Sequence, residues 1–398
     1  MSALIDLNPA DSAVVANPYP LYEQLRAAGP LIWSENLDMW LAPTYQAASA
    51  VLRNPQLGRI YQPRLPAIDW EIFNWLHSDS ILDSEPPKHT RLRSLVTKTF
   101  TRGRIEAMRP AIENICAELL EHTAQQVQER GQFDLLADYA EPLPVLVIAK
   151  LLGVPAQMSA ELRSWSQAIV KMYEVGPTAA EEADALSACA QFSEYISTLA
   201  RERKRKPADD LITALVQAQE SGEKLSEHEL IAMCVLLLNA GHEASVNGFG
   251  NGFVSLFQHP DQLRELAQDP DGLASSALEE MLRFDSPLHM FDRTATADTE
   301  IAGVTISTGQ KVAALLGSAN RDEQQFVKAA TFNIHRTPNS HIAFGAGIHF
   351  CVGAPLARLE MNISLPLLLK KYPDLKLAGQ PAQRPTFVLR GWETIPVC

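Results

Sequence analysis

Apolar positions recur every three or four residues over 104–130, 156–173 and 179–204, the spacing that sets one face of a helix against a core. Short alternating runs at 31–41 and 300–312 read instead as strands, with Gly303 and Gly309 supplying turns. The longest pattern covers 226–258. Ser226 and Glu229 form a capping box at its start, and Pro260 closes its far end. At about 1.5 Å per residue such a helix is roughly 50 Å long. Its first half is apolar almost all round, which predicts burial, yet Asn239, Gly241, His242 and Glu243 interrupt it mid-span. Polar and flexible residues inside a buried helix are costly unless something local needs them. Prolines gather at Pro18, Pro20, Pro30 and Pro43, at Pro86 and Pro87, and from Pro381 to Pro396. With no internal repeat, low-complexity block or linker, residues 1–398 read as a single domain, mainly α with a smaller β region.

Composition excludes several classes. The chain is 46% hydrophobic and 20% charged, ordinary for a soluble globular protein. A balance of 34 basic against 47 acidic residues gives a net charge of −13, which argues against nucleic acid or an anionic membrane as partner. Cys116, Cys189, Cys234, Cys351 and Cys398 are scattered and odd in number, a pattern of reduced thiols in the cytoplasm. The start has neither a basic flank nor an apolar run, and the most apolar stretch, 231–238, is too short to cross a bilayer. The expectation is a cytoplasmic protein, a monomer without a membrane partner.

Candidate chemistry concentrates in Phe344-Gly345-Ala346-Gly347-Ile348-His349-Phe350-Cys351-Val352-Gly353. Three glycines around one cysteine describe a tight loop that something can approach closely. A helical pattern follows over 354–367, so Cys351 lies just before a helix N-terminus, where the dipole and free amides favour a thiolate. Such a sulfur can serve as an axial iron ligand. A lone cysteine on a turn also reads as a structural thiol. Zinc is disfavoured, because His349 is the only second ligand nearby.

Phe-Gly-x-Gly-x-His-x-Cys-x-Gly resembles the cysteine-loop signature of the cytochromes P-450, matched here at every position. The resemblance implies the P-450 fold, a long central helix over a buried haem b, with Cys351 as the iron ligand, Phe344 beside the sulfur and Gly353 closing the loop. Four further segments agree in order. Glu280-Met281-Leu282-Arg283 resembles the family's Glu-x-x-Arg motif, whose i, i+3 spacing puts both side chains on one face. Arg336 is the matching partner, and the role implied for all three is structural. His89-Thr90-Arg91-Leu92-Arg93 is similar to a propionate-binding segment and implies His89 and Arg93 as haem contacts, joined by Arg293 and His349. Ala319-Asn320-Arg321-Asp322, with Phe326, resembles a structural segment after the small sheet.

Ala240-Gly241-His242-Glu243-Ala244-Ser245 is similar to the oxygen-binding segment of the long helix. Small residues there let the helix loosen and admit O2, with Ala240 against the cofactor, and Glu243 is the acid that delivers protons. The family's threonine is replaced by Ala244. Ser245 lies one residue on, about 100° round the helix, and should not face the iron. The resemblance implies a monooxygenase that inserts one oxygen atom of O2 into a hydrophobic molecule. A secondary metabolite such as a polyketide or terpenoid is the first expectation and a fatty acid the second. A peroxide-driven peroxygenase and a non-catalytic haem gas sensor are the alternatives.

The sequence carries no flavin domain or iron–sulfur cysteine cluster. Electrons from NAD(P)H are therefore expected through a separate ferredoxin of the 2Fe-2S type and a ferredoxin reductase, with Arg102, Arg104 and Arg358 as docking contacts. By position in the family, the substrate pocket draws on 64–82 (Trp70, Phe73, Trp75), on 165–175, and on Leu237, Ala240 and Ala244. It also draws on Leu288, Met290 and Phe291, and on Leu389 with Arg390. These residues are mostly apolar.

Overall fold

The capping box forms where the sequence puts it. The Glu229 N–H donates to Ser226 Oγ and the Ser226 N–H to Glu229 Oε2, each at 3.0 Å. The long helix then runs Glu227–Gln258, and Pro260 opens the next one, Pro260–Gln268. These features come from a computed structural model of the chain, which describes residues 5–174, 176–220 and 225–398. Arg91, on the helix Lys88–Thr99, also grips the Glu229 carboxylate, so one side chain both caps the long helix and ties a second helix to it.

Most expected elements appear with shifted ends. The 156–173 pattern is the helix Ser159–Val170 between single 3-10 turns, Ala156–Met158 and Lys171–Tyr173. Thr178 and Glu181 make a second capping box in front of Ala179–Arg205. The 104–130 pattern breaks into Arg102–Glu106 and Arg109–Arg130. Pro110 explains the break: it has no N–H to give a preceding carbonyl, and a helix that restarts at Arg109 keeps it in the first turn, where none is needed. The helix after the cysteine loop, Ala354–Lys371, outruns its expected end and passes through Pro366. Leu365, Pro366, Leu368 and Leu369 are all buried, and that packing outweighs the one hydrogen bond the proline forfeits.

Contacts divide the chain into two units, each assembled from separated segments. The first comprises the residues up to Gly58, Cys116–Ala140 and Ala244–Cys398. Its five-stranded sheet has the spatial order Ile32–Ser34, Met39–Ala42, Lys311–Leu315, Met290–Ala295, Leu57–Gly58. Met39–Ala42 and Lys311–Leu315 run parallel; the other pairs are antiparallel, with Arg293 opposite Val312. A separate hairpin, Thr299–Ile301 with Val304–Ile306, turns through Ala302 and Gly303 at φ of +52° and +81°. The main core of this unit gathers Phe249, Phe253, Leu278, Met281, Phe332, Leu365 and Leu369. Here the long helix approaches the helix Pro270–Phe284 so closely that a Cβ on Gly252 would lie 2.7 Å from the Met281 Cβ.

The second unit comprises Arg59–Ile115 and Glu141–Glu243. It is helical, with Ser159–Val170 packed on Ala179–Arg205 around the fully buried Leu162, Ile169, Phe192 and Ile196. The long helix belongs to this unit through Glu243 and to the first from Ala244. By length and composition that helix would suffice to cross a membrane, but 67% of its most apolar window is buried inside the fold, the mark of a core helix.

Candidate active site

The cysteine loop is closed by its own backbone. The Cys351 N–H donates to the Phe344 carbonyl at 3.0 Å, three residues ahead of Ala354, where the following helix starts. Gly345 and Gly347 both sit at φ of +72°, a conformation that L side chains rarely adopt. At Gly347 a Cβ would in addition lie 2.3 Å from the Leu52 carbonyl oxygen. The loop therefore needs both glycines, and it leaves Cys351 exposed. Cys116, Cys189 and Cys234 are buried instead, and burial pushes the Cys189 and Cys234 thiols up to about 12. Among the described residues, no group of three or more His, Cys, Asp or Glu side chains could hold a bare metal ion. An iron at Cys351 has to bring most of its ligands with it, as a porphyrin iron does.

Two consecutive carboxylates on Pro270–Phe284 anchor this loop and its surroundings. Glu280 is fully buried and accepts from Arg283 Nε at 2.7 Å, Arg283 Nη2 at 2.8 Å and Arg336 Nε at 3.0 Å. It also takes the Asn333 N–H at 2.8 Å and Asn339 Nδ2 at 3.2 Å. The two guanidiniums reach on to the carbonyls of Asn320, Val327, Lys328, Ala329 and Thr331. The cluster thus stitches together the irregular chain ahead of the cysteine loop. Asn320, from the Ala319–Asp322 segment, joins the same framework: its Oδ1 takes the Ile342 N–H at 2.8 Å.

Glu279 points elsewhere. It accepts from Arg358 Nε at 2.6 Å and Nη2 at 2.8 Å, and pairs with His341 Nε2 at 2.9 Å. The Arg358 guanidinium in turn lies 4.4 Å from the centre of the Phe344 ring. Burial alone would raise the Glu279 pKa, but the Arg358 and His341 hydrogen bonds outweigh it and hold it at about 2. This corrects the expectation that Arg358 serves as a docking contact, because its fork is already committed to Glu279. Arg102 and Arg104 are exposed. The pairing was invisible in the sequence, since Glu279 and Arg358 lie 79 residues apart.

The remaining donors sit in two places. In the first unit, Arg293 is 2% exposed on Met290–Ala295, with its guanidinium 4.5 Å from the Phe291 ring, and His349 closes the turn Gly347–His349. In the second unit, the buried His89 and half-buried Arg93 share one face of Lys88–Thr99. Within the first unit, a thiol at a helix start, a guanidinium and an imidazole have the chemistry that haem needs, a soft ligand for iron and cationic donors for carboxylates; His89 and Arg93 of the second unit are donors of the same kind.

The long helix shows a second fit. Leu236, Leu237, Gly241, Ala244 and Ser245 are only half-buried and Ala240 is exposed, while the positions between them are buried. Leu237, Ala240, Gly241 and Ala244 are i, i+3, i+4 and i+7, so a mostly buried helix carries one open stripe of small and apolar residues. His242 and Glu243 are buried beside it. The helix does not loosen here. It stays α-helical from Ala240 to Ser245, and Gly241 makes room for Ile148, whose Cδ1 lies 2.5 Å from where a Cβ would be.

The expected pocket positions divide. Leu288 and Leu389 are half-buried and meet in a backbone bridge, and Leu288 and Phe291 pack on the same apolar cluster. Met290 turns to the other side of its strand, toward Tyr22 and Phe387. Arg390 binds Asp285 Oδ1 at 2.9 Å and the Val15 and Ala16 carbonyls, which ties down the N-terminal segment. Trp165 packs outward against Phe192 and Tyr195. Trp70 and Phe73 instead stack on the Arg64 guanidinium, which donates to the Met172 carbonyl at 2.7 Å, and Trp75 stacks on His228.

The family model for cytochrome P-450 matches residues 32–388. The polyketide biosynthesis cytochrome P-450 PksS of Bacillus subtilis is 37% identical over 396 residues, covering 96% of this chain and 95% of that protein. The 6-deoxyerythronolide B hydroxylase of Saccharopolyspora erythraea is 37% identical over 394 residues, 95% of each chain. The crystal structure of P450BioI, in complex with an acyl carrier protein bearing hexadec-9Z-enoic acid, superposes with a TM-score of 0.91 at 35% identity, covering 97% of this chain and 99% of that one. The chain belongs to the cytochrome P-450 family. It has the family's fold and is a cytochrome P-450 monooxygenase.

Glu280→Ala would leave two buried guanidiniums without their anion, a loss worth about 3–5 kcal/mol. The variant should purify with little or no haem; a soluble, fully loaded and active variant contradicts the anchoring role. Glu279 makes a pH-dependent contribution. Its folded pKa of about 2 lies below the ordinary 4.5, so the stabilisation is complete above pH 4.5 and lost as pH falls through 2. Denaturant unfolding should show wild type more stable than Glu279→Gln by on the order of 2 kcal/mol at neutral pH, allowing for partial exposure. That gap should narrow steadily in acid, and a gap independent of pH contradicts the assignment.

Proposed function

We propose that this monooxygenase inserts one oxygen atom into a hydrophobic secondary metabolite, a polyketide or terpenoid scaffold, with a fatty acyl chain as second choice. The observation that carries the reading is the open stripe Leu237, Ala240, Gly241, Ala244 on a mostly buried helix, an apolar wall at the height of Glu243. One relative is named for polyketide biosynthesis, which supports the first choice. The carrier-bound hexadecenoic acid in the P450BioI complex supports the second.

Haem b, when bound, supplies the activation of O2. Cys351 would hold its iron, and His89, Arg93, Arg293 and His349 its propionates. Phe344, clamped under Arg358, shields the sulfur, and Gly353 and Ala240 keep the approach to the cofactor free of side chains. Glu243 holds a proton in the buried flank of the stripe and passes it toward the open side. Ala244 offers no hydroxyl to receive it. We assign that role to a hydroxyl on the substrate, or to a water it fixes; Ser245 lies about 100° round the helix from Ala244, and the helix stays regular between them. Electrons come from NAD(P)H through a separate 2Fe-2S ferredoxin and its reductase, for which the exposed Arg102 and Arg104 suit an acidic partner. We read the 398 residues as one haem domain, since the family model spans segments of both units, working as a cytoplasmic monomer.

The test compares NADH consumed with product and peroxide formed, for a hydroxylated substrate and its deoxy analogue, with a ferredoxin and reductase and with peroxide alone. Turnover should need the NADH system. Wild type should couple well with the hydroxylated substrate and leak peroxide with the analogue, and Ala244→Thr should rescue the analogue. Equal coupling for both in the wild type contradicts substrate assistance, and turnover by peroxide alone, with no gain from NADH, marks a peroxygenase.

A further inference from the structure

The helix after the cysteine loop brings a guanidinium into the field of the Cys351 sulfur, and a carboxylate holds it there. Arg358 follows Ala354, the first residue of that helix, by four positions, one turn on. Its guanidinium covers the Phe344 ring, and the Phe344 carbonyl takes the Cys351 N–H. The Glu279 hydrogen bond is the largest cause of a raised Arg358 pKa, and the charge of Cys351 raises it further, so sulfur and guanidinium feel each other. Glu279 meets the guanidinium edge on, with Nε donating to Oε1 and Nη2 to Oε2. The ion pair is therefore bidentate, and its charges match one for one.

His341 leaves that match intact. The Ala343 N–H lies 3.2 Å from His341 Nδ1, and an amide N–H can only donate. Nδ1 therefore carries no proton, the ring is neutral, and Nε2 donates to Glu279 Oε2 at 2.9 Å. The His341 side chain is 2% exposed and its ring centre lies 6.2 Å from that of Phe344. It fixes one Glu279 oxygen from the buried side without adding charge. Covering Phe344 needs no such arrangement, because a guanidinium can stack on an aromatic face with its donors in water. What the carboxylate adds is cancellation. An unopposed guanidinium near a thiolate draws electron density away from the sulfur, and charge around the sulfur is one of the levers by which a protein sets the potential of a bound iron.

We propose that Glu279 is a positioning residue for charge: it fixes and neutralises Arg358, and so sets how strongly the Cys351 sulfur donates to the iron it holds. This rests on the haem-thiolate monooxygenase reading above and adds a residue to it. Anchoring the loop and tuning the sulfur are separable, because only the second depends on the sign of the charge removed.

The experiment measures the reduction potential of the haem-loaded, substrate-free protein at neutral pH, by spectroscopic titration with mediator dyes. Wild type is compared with Glu279→Gln, Arg358→Met and the double variant. Glu279→Gln keeps the shape of the side chain but leaves the guanidinium unopposed. The reduced state should gain about tenfold in the one-electron equilibrium, a rise of about 59 mV. Arg358→Met leaves the carboxylate alone, so its potential should fall below that of the wild type. The double variant, with neither charge, should return close to the wild type. A pair that only braces the loop predicts something else: either substitution loosens the same contact, so both single variants shift in one direction or neither shifts. Either of those results overturns the proposal, as does a double variant that departs from the wild type further than both single ones. Should Glu279→Gln hold no haem, Arg358→Met still decides, since an unchanged or raised potential there is a contradiction. Each protein is checked by its reduced carbon-monoxide spectrum. Contrary potentials with a normal thiolate-type band sink this inference alone, whereas a wild type without that band sinks the family-based reading beneath it.

Discussion

The loop that presents Cys351 buries Ala346 and part of Phe344, but little apolar surface next to the sulfur, and the first unit makes up the difference with charge. Ile348 and Phe350 are 48% and 40% exposed, so the hydrophobic effect alone holds that end of the loop weakly. Charge supplies the rest. Glu279 and Glu280 stand next to each other on one helix and, about 100° apart, pull in two directions. Glu280 gathers Arg283, Arg336 and the carbonyls of the chain leading into the loop. Glu279 takes Arg358 and His341, and Arg358 covers Phe344. Buried ion pairs are poor sources of net stability but severe constraints on geometry, because each charge tolerates only the arrangement that satisfies it. A cofactor ligand needs that kind of constraint, for a soft hydrophobic contact would let the sulfur wander.

The long helix solves the opposite problem. Most of it is packed into the core, and where the chemistry is required it gives up burial on a narrow stripe. Ala240 and Ala244 keep that stripe open without adding polar groups, while Glu243 is buried beside it. On the proposed reading, alanine at 244 in place of a threonine leaves the protein without a hydroxyl there and transfers that demand to the ligand.

How much of this was legible follows from where the information lies. The long helix was readable to the residue because Ser226, Glu229 and Pro260 are local signals. The cysteine loop was readable because its two left-handed glycines and the cysteine fall within seven residues. Local signals also misled. Apolar spacing ran through Met108, where Pro110 forces a restart, and stopped near Pro366, where packing carries the helix on. Contacts between distant residues were beyond a single sequence: Glu279 with Arg358, Arg91 with Glu229, and His77 with Tyr173. Arg358 and Arg390 looked like available cations, and only the fold reveals that their donors are taken.

The central claim is that the anchored loop exists to present the Cys351 sulfur to a haem iron. The most direct measurement is the reduced carbon-monoxide difference spectrum of the purified protein beside that of Cys351→His, with haem content quantified in both. The wild type should show the far-shifted Soret band that thiolate ligation produces, and the variant should lose that shift while retaining haem held by an imidazole. A wild type that binds haem without the shifted band, or a variant in which the band persists without the sulfur, would contradict the account.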